Sequence, residues 1–260
     1  MSKKLIVTPI QALQDNYIWL LTHPSTQHCV VVDPGDATPV LQALKTQSLS
    51  LSGILITHHH WDHTGGIETL VQYAPGTPVY GFAQEPIQHL NHPLTTNQSF
   101  NLDVFDLDVH TLSIPGHTLG HIAYHIDGNL FCGDTLFTAG CGRLFEGTAE
   151  QMLHSLNQLK KLPPETRIYC GHEYTEANLR FALTVEPENL AIQHRIKATA
   201  LERARQNPTV PSTLALELQT NPFLRTHVQA LKQSVESKVS HALRTETEVF
   251  AALRQWKDHF

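Results

Sequence analysis

The sequence predicts an α/β domain over residues 1–172 followed by a small all-helical domain over residues 173–260. Three observations carry this reading. Strand-like and helical segments alternate as far as His172, the pattern of a layered α/β domain. Strand signals then fade, leaving helical composition broken by prolines. Several apolar runs of the first part also end in glycine followed by a histidine or aspartate, and 14 of the 18 histidines precede residue 173.

The elements follow in order. Short apolar runs predict strands at 5–9, 17–21 and 29–32, a helix at 39–45 and a buried strand at 51–57. Gly65-Gly66 then leads into Ile67, Leu70 and Val71, whose i, i+3, i+4 spacing is helical. Strands are expected at 78–82, 107–113, 122–125 and 130–132, the last two joined by the hairpin signal Asp127-Gly128. A helix at 150–161 places Met152, Leu153, Leu156 and Leu159 on one face, and a strand at 167–170 follows. Helices are expected at 175–185, 189–206, 226–242 and 245–256, separated by Pro187, by Asn207-Pro208-Thr209-Val210-Pro211 and by Asn221-Pro222.

Composition excludes several classes. No run approaches the roughly 18 apolar residues of a membrane span, and the apolar stretch after Met1-Ser2-Lys3-Lys4 is cut short by Gln11 and Gln14, too soon for a secretory leader. A cytoplasmic, monomeric protein is expected. Cys29, Cys132, Cys141 and Cys170 show no C-x-x-C spacing and read as reduced packing residues. Residues 1–172 hold 7 Lys+Arg against 14 Asp+Glu, and residues 173–260 hold 11 against 10. An acidic chain without a basic stripe is a poor partner for a phosphate backbone, so no nucleic acid is expected.

The densest chemistry is Thr57-His58-His59-His60-Trp61-Asp62-His63. If the strand before it continues, period-two alternation sends His58, His60 and Asp62 to one side, with His63 beside Asp62 where the chain turns. One divalent ion, bound at about 2.0 to 2.2 Å, cannot readily take four donors from so tight a segment. Two ions can. Three further runs end in a donor: Leu112-Ser113-Ile114-Pro115-Gly116-His117, Leu130-Phe131-Cys132-Gly133-Asp134 and Ile168-Tyr169-Cys170-Gly171-His172. Each reads as a strand delivering one side chain at its carboxyl end, where open α/β sheets place ligands. A carboxylate shared between two such ions holds them about 3.5 to 4 Å apart, and water between them ionises near neutral pH. His59 and His121 adjoin these donors without being needed as ligands, and Asp33, ending its own strand, is a plausible partner for a ligand imidazole.

The heptad T-H-x-H-x-D-H, Gly116-His117-Thr118, Gly133-Asp134 and Gly171-His172 resemble the metallo-β-lactamase superfamily in order and spacing. Within it the chain resembles the hydroxyacylglutathione hydrolase, or glyoxalase II, branch along essentially its whole length. Cys141-Gly142-Arg143-Leu144-Phe145-Glu146-Gly147-Thr148, Cys170-Gly171-His172-Glu173-Tyr174-Thr175, Asn221-Pro222-Phe223-Leu224-Arg225 and the terminal Arg254-Gln255-Trp256-Lys257-Asp258-His259-Phe260 carry that closer likeness.

The resemblance implies an αβ/βα sandwich with its ligand loops at one edge, a metal-binding catalytic domain over 1–172 and a helical substrate-binding domain over 173–260. It implies that His58, His60 and His117 hold one ion, Asp62, His63 and His172 the other, and Asp134 bridges them. Two divalent ions are expected, zinc first, with iron or manganese admissible to the same donors. Asp62 and Asp134 are the implied catalytic carboxylates, Asp62 orienting the nucleophile or receiving its proton. Arg143, Phe145, His172, Tyr174, Arg254 and Lys257 match positions that hold glutathione in the family, where lysine and tyrosine are common at the places of Arg143 and Phe145. The implied reaction is hydrolysis of S-(2-hydroxyacyl)glutathione, such as S-D-lactoylglutathione, by hydroxide held between the ions, the second step of methylglyoxal detoxification. A mononuclear-iron persulfide dioxygenase is the competing reading, along with other hydrolases of the same fold. The complete second donor set and the helical tail weigh against the dioxygenase.

Overall fold

A computed structural model describes residues 5–260. Residues 1–4, which enter the argument about a leader, lie outside the described residues. By packing, the chain forms two compact units, each assembled from separated stretches of sequence. The first comprises the chain through Ser113 together with Gly120–Gly133 and Gly171–Glu173, and the second comprises Ile114–Leu119, Asp134–Cys170 and Tyr174–Phe260. These units cut the chain differently from the 172/173 boundary read in the sequence, because 114–119 and 134–170 pack with the helical part while 171–173 returns to the first unit.

The first unit opens with β1 (Ile6–Ala12), β2 (Asn16–Thr22) and β3 (His28–Val32), followed by α1 (Ala37–Gln47) and β4 (Ser50–Leu55). Then come α2 (Trp61–Thr64), α3 (Ile67–Tyr73), β5 (Val79–Phe82) and β6 (His92–Leu94). Strands β1 to β6 lie side by side in chain order. The first three are antiparallel, and from β3 onward the pairing is parallel, with helices making the crossovers from β3 to β4 and from β4 to β5 and a loop the one from β5 to β6. Ile18, Leu20, Val31, Ile54, Val40, Leu44, Ile67 and Leu70 form one buried cluster of sheet and helices. An antiparallel meander follows: β7 (Ser99–Leu102), β8 (Leu107–Ser113), β9 (Ile122–Ile126) and β10 (Asn129–Gly133). Asp127 and Gly128 connect the last two with φ of 47° and 73°, the positive pair a two-residue type I′ turn demands. Tyr124 of β9, fully buried, donates its hydroxyl to the Ile56 carbonyl at 2.7 Å and so ties the meander to the end of β4.

The second unit holds the short hairpin β11 (Leu136–Phe137) and β12 (Gly140–Cys141), then α4 (Ala149–Leu159), β13 (Arg167–Cys170), α5 (Thr175–Val185) and α6 (Leu190–Ala204). It continues with β14 (Ser212–Thr213), α7 (Leu214–Thr220), a 3-10 turn at Pro222–Leu224, α8 (Gln229–Val239) and α9 (Glu246–Asp258). Both α4 and α9 begin with a capping box, Thr148 with Gln151 and Thr245 with Glu248.

The predicted two-sheet α/β sandwich and helical C-terminal region are present. One local expectation is overturned: the strand before the heptad ends at Leu55, and 61–64 is helical. The Thr64 hydroxyl donates to the His60 carbonyl and the Gly65 amide to the Trp61 carbonyl, so the chain coils as soon as the ligands begin. Asp62 and His63 are therefore presented from a helical turn, not by strand alternation. Strands β6, β7, β11, β12 and β14 and helix α7 were not foreseen; most are too short to show a period.

Candidate active site

The donors of the first unit converge from four places. His58 and His60 follow β4, Asp62 and His63 sit on α2, His172 follows β13, and Asp33 ends β3. Asp33 occupies the left-handed region at φ 52°, which aspartate tolerates better than most residues. From there its Oδ1 accepts the Thr57 amide at 2.8 Å, and its Oδ2 accepts the Thr57 hydroxyl at 2.7 Å and His63 Nδ1 at 3.1 Å.

These contacts fix imidazole tautomers. A carboxylate only accepts, so Nδ1 of His63 carries its proton toward Asp33, and Nδ1 of His172 does the same toward Asp15 at 2.8 Å. The Thr57 hydroxyl, spent as a donor to Asp33, accepts from His58 Nδ1 at 3.1 Å. In all three rings Nε2 is left as the lone-pair nitrogen, the state a metal ligand requires. In the second unit, His117 donates Nδ1 to the Arg143 carbonyl at 2.9 Å, with the same consequence.

The distances between donor atoms test whether a metal fits. Bonds of about 2.0 to 2.1 Å at tetrahedral angles separate adjacent ligand atoms by roughly 3.3 Å. His58 Nε2 lies 3.0 Å from His60 Nδ1, Asp62 Oδ2 lies 3.4 Å from both His63 Nε2 and His172 Nε2, and His117 Nε2 lies 3.5 Å from Asp134 Oδ2. The donor atoms of Asp62, His63 and His172 fall within 4.8 Å of one another, as do those of Asp33, His58 and His63. The clustered histidines and aspartates thus suggest a binuclear metal site. Burial raises the Asp62 pKa, but hydrogen bonds with His172 and His63, the charge of His63 and the Asn16 amide outweigh it and hold the carboxyl well below the usual range. Asp62 is ready to ligate as a carboxylate.

Asp15, Asn16 and Glu85 were not singled out from the sequence. Asn16 donates to Asp62 Oδ2 at 3.0 Å, and buried Glu85 holds both the His59 amide and the His59 ring while accepting the Gly120 amide at 2.9 Å. His59 accordingly faces Glu85, and His121 stacks on His58 with centroids 4.6 Å apart. The only trace of Asp15 and Asn16 in the sequence is their place ahead of a strand, a signal shared by ordinary turns.

The second unit contains a cleft of about 390 Å³ whose walls include His117, Asp134, Arg143, Phe145, Tyr174, Arg254 and Lys257. Every residue expected to hold substrate lies there except His172, which belongs to the first unit. The cations differ in state. Arg143 is exposed, 3.8 Å from Asp258. Arg254 is buried and committed: it donates to Asp258 Oδ1 at 2.9 and 3.1 Å and to the Cys141 carbonyl at 2.9 Å. Lys257 sits above the Phe181 ring, and burial, reinforced by Arg254, Arg180 and Arg143, lowers its pKa to about 8 against the pull of Asp258. Phe145, 62% exposed, meets the His117 ring edge to face at 5.1 Å. All four cysteines are buried and unbridged, and burial raises the Cys141 thiol to about 11 despite Arg254, so it stays protonated. A larger cavity of about 620 Å³ beside the Arg225–Glu186 ion pair contains none of the expected site residues.

Comparison with known proteins gives a consistent result. Residues 13–172 match the metallo-beta-lactamase superfamily, and residues 173–260 match the hydroxyacylglutathione hydrolase C-terminus. The chain is 53% identical over 257 residues to a hydroxyacylglutathione hydrolase of Aliivibrio fischeri, covering 98% of this chain and 100% of that protein. Its identity to the Pseudomonas fluorescens enzyme of the same name is 51% over 255 residues, covering 98% and 99%. Among solved structures, ETHE1 from Myxococcus xanthus superposes with a TM-score of 0.66 at 22% identity, covering 97% of this chain and 98% of that one, a likeness of fold alone. A di-iron-bound form of TTHA1623 superposes at 0.58 with 28% identity, covering 84% and 100%.

Proposed function

Since this chain belongs to the hydroxyacylglutathione hydrolase family of the metallo-β-lactamase superfamily, we propose how its residues divide the work of hydrolysing a glutathione thioester. The chain is a glyoxalase II hydrolase. One observation supports the division best: a single cleft lines His117 and Asp134 with Arg143, Tyr174 and Lys257, so metal donors and anion-binding side chains share one wall.

In this reading His58, His60 and His117 would hold one divalent ion and Asp62, His63 and His172 the other, with Asp134 as a donor shared by the two. When bound, the ions supply Lewis acidity toward the thioester carbonyl and acidify a water. The protein's own side chains do the rest. Asp33, Asp15, Thr57 and the Arg143 carbonyl hold Nδ1 protons and so aim Nε2 of His63, His172, His58 and His117. Asp62, held ionised, orients the attacking water through its free acceptor capacity. Arg143 and Lys257 bind the glutathione carboxylates through charge-assisted hydrogen bonds, Tyr174 and Phe145 border the peptide, and Arg254 acts by fixing Asp258 and Cys141. Residues 1–172 form the metal-binding module and 173–260 the helical substrate module, zinc is the expected ion, and the enzyme works as a cytoplasmic monomer. Among the described residues, no helix is long and apolar enough to cross a membrane.

The test is turnover of S-D-lactoylglutathione by the metal-loaded protein, followed by loss of thioester and release of thiol, with metal analysis of the same sample. Two equivalents of metal and rapid thiol release are expected; a fully loaded protein without turnover would defeat the reading. Asp134→Ala should lower metal content and nearly abolish hydrolysis.

A further inference from the structure

The hairpin β11–β12 is short, yet it contributes to the wall of the cleft. Phe137 and Cys141 line the wall, Phe137 meets the Tyr174 ring edge to face at 5.3 Å, Asp134 lies just before the hairpin and Arg143 just after it. Two strands of two residues each cannot hold themselves in place, since an isolated hairpin even of ordinary length is marginal in water. Its backbone is instead gripped from behind by side chains of the helical part.

Asn221 is fully buried, and its amide nitrogen reaches the carbonyls of Phe137 at 3.1 Å and Gly140 at 2.8 Å. Glu217, also fully buried, accepts the Ala139 amide at 2.7 Å at the hairpin tip, where Ala139 is held at φ 54°. The same Glu217 oxygen accepts from Asn221 at 3.1 Å, and its other oxygen is held by Arg195 at 2.6 Å and by the Ser212 hydroxyl. Asn178 takes the Thr138 carbonyl at 3.0 Å. A buried ion pair contributes little net stability, because desolvation offsets its attraction. What this one does is geometric: it presents one carboxylate oxygen to a strained turn and orients the amide that spans two carbonyls.

We propose that Asn221, with Glu217 and Arg195 behind it, is a positioning device for the substrate, setting the β11–β12 hairpin so that the cleft wall of Phe137, Cys141 and Arg143 fits the glutathione moiety. This rests on the reading of the cleft given above. Because the device acts on the part of the substrate remote from the reacting carbon, its loss should appear in KM and not in kcat.

The experiment compares the zinc-loaded wild type and Asn221→Ala with two substrates, S-D-lactoylglutathione and S-lactoyl-N-acetylcysteamine, which lacks both glutathione carboxylates. Binding of S-methylglutathione is measured alongside by calorimetry. The expected result is a KM for the glutathione thioester and a Kd for S-methylglutathione each raised about tenfold. Turnover of the short thioester and metal content should stay within about twofold of wild type. Loss of packing alone would depress both substrates alike. Equal losses, losses that follow metal release, or an unchanged KM in a folded variant overturn the proposal.

Should Asn221→Ala fail to fold, Asn221→Ser offers a hydroxyl that can still accept the Phe223 amide now held by Asn221 Oδ1. It cannot span the two hairpin carbonyls, and the same selective loss is expected of it. A wild type active on the glutathione thioester with variant ratios near one sinks the hairpin proposal alone. A wild type without that activity sinks the functional reading with it.

Discussion

At the scale of single residues, charge and proton placement decide what each group can do. Lys257 is the clearest case, since burial and three neighbouring guanidinium groups favour its neutral form and bring its pKa to about 8. A group with a lowered basic pKa is charged below that value and neutral above it. Its attraction for a substrate carboxylate should therefore be present at pH 7 and fade as pH rises through 8 and beyond. KM for S-D-lactoylglutathione is expected to climb several-fold between pH 7 and 9.5, approaching the roughly tenfold that a lost charge-assisted hydrogen bond costs. Lys257→Arg, whose guanidinium stays charged, should flatten that climb, while Lys257→Ala should start high and stay there; parallel profiles for all three proteins would refute the assignment. Asp33 supports a different expectation. It fixes His63 and, through Thr57, His58, so Asp33→Asn should cost about ten- to a hundredfold in metal affinity. Retention of metal against a chelator, measured by elemental analysis, checks this.

At the scale of elements, α9 does two jobs that mutation can separate. Its capping box, with the Thr245 hydroxyl accepting the Glu248 amide at 3.2 Å, fixes where the helix begins. Thr245→Ala is expected to cost about 1 kcal/mol, or roughly 2 °C in Tm for a chain of this size; an unchanged melting curve would show that the cap contributes nothing. At the other end, Arg254 and Lys257 lie three residues apart, and the family resemblance implies that both hold glutathione. Their settings differ. Arg254 closes an i, i+4 pair with Asp258 and caps the Cys141 carbonyl, so Arg254→Ala should lower Tm and raise KM together, whereas Lys257→Ala should raise KM at nearly unchanged Tm. Equal effects on Tm would mean that burial does not distinguish the two.

At the scale of the whole molecule, bound ions should hold the fold as well as the chemistry. Because binding to the folded state alone stabilises by mass action, removing metal with a chelator should lower Tm by several degrees, and restoring zinc, iron or manganese should reverse it. Much of this protein was legible in its sequence. Histidines and aspartates in the heptad and at the ends of apolar runs pointed to the clusters that suggest a metal site, and alternation of elements up to His172 pointed to the α/β fold class, because those signals are local and repeat within a few residues. The type I′ turn at Asp127-Gly128 was equally plain, being a matter of two residues. Other features depended on which segments meet. Neither Asp15 against His172 nor Glu217 and Asn221 against the β11–β12 hairpin leaves a pattern in the chain, since each joins residues 78 to 157 positions apart. The sequence by itself determined which side chains can bind metal and which fold class carries them. Only the tertiary structure decided which imidazole nitrogens carry the proton and how deeply each cation of the cleft is buried, because hydrogen-bond partners and burial are properties of packing and not of order along the chain.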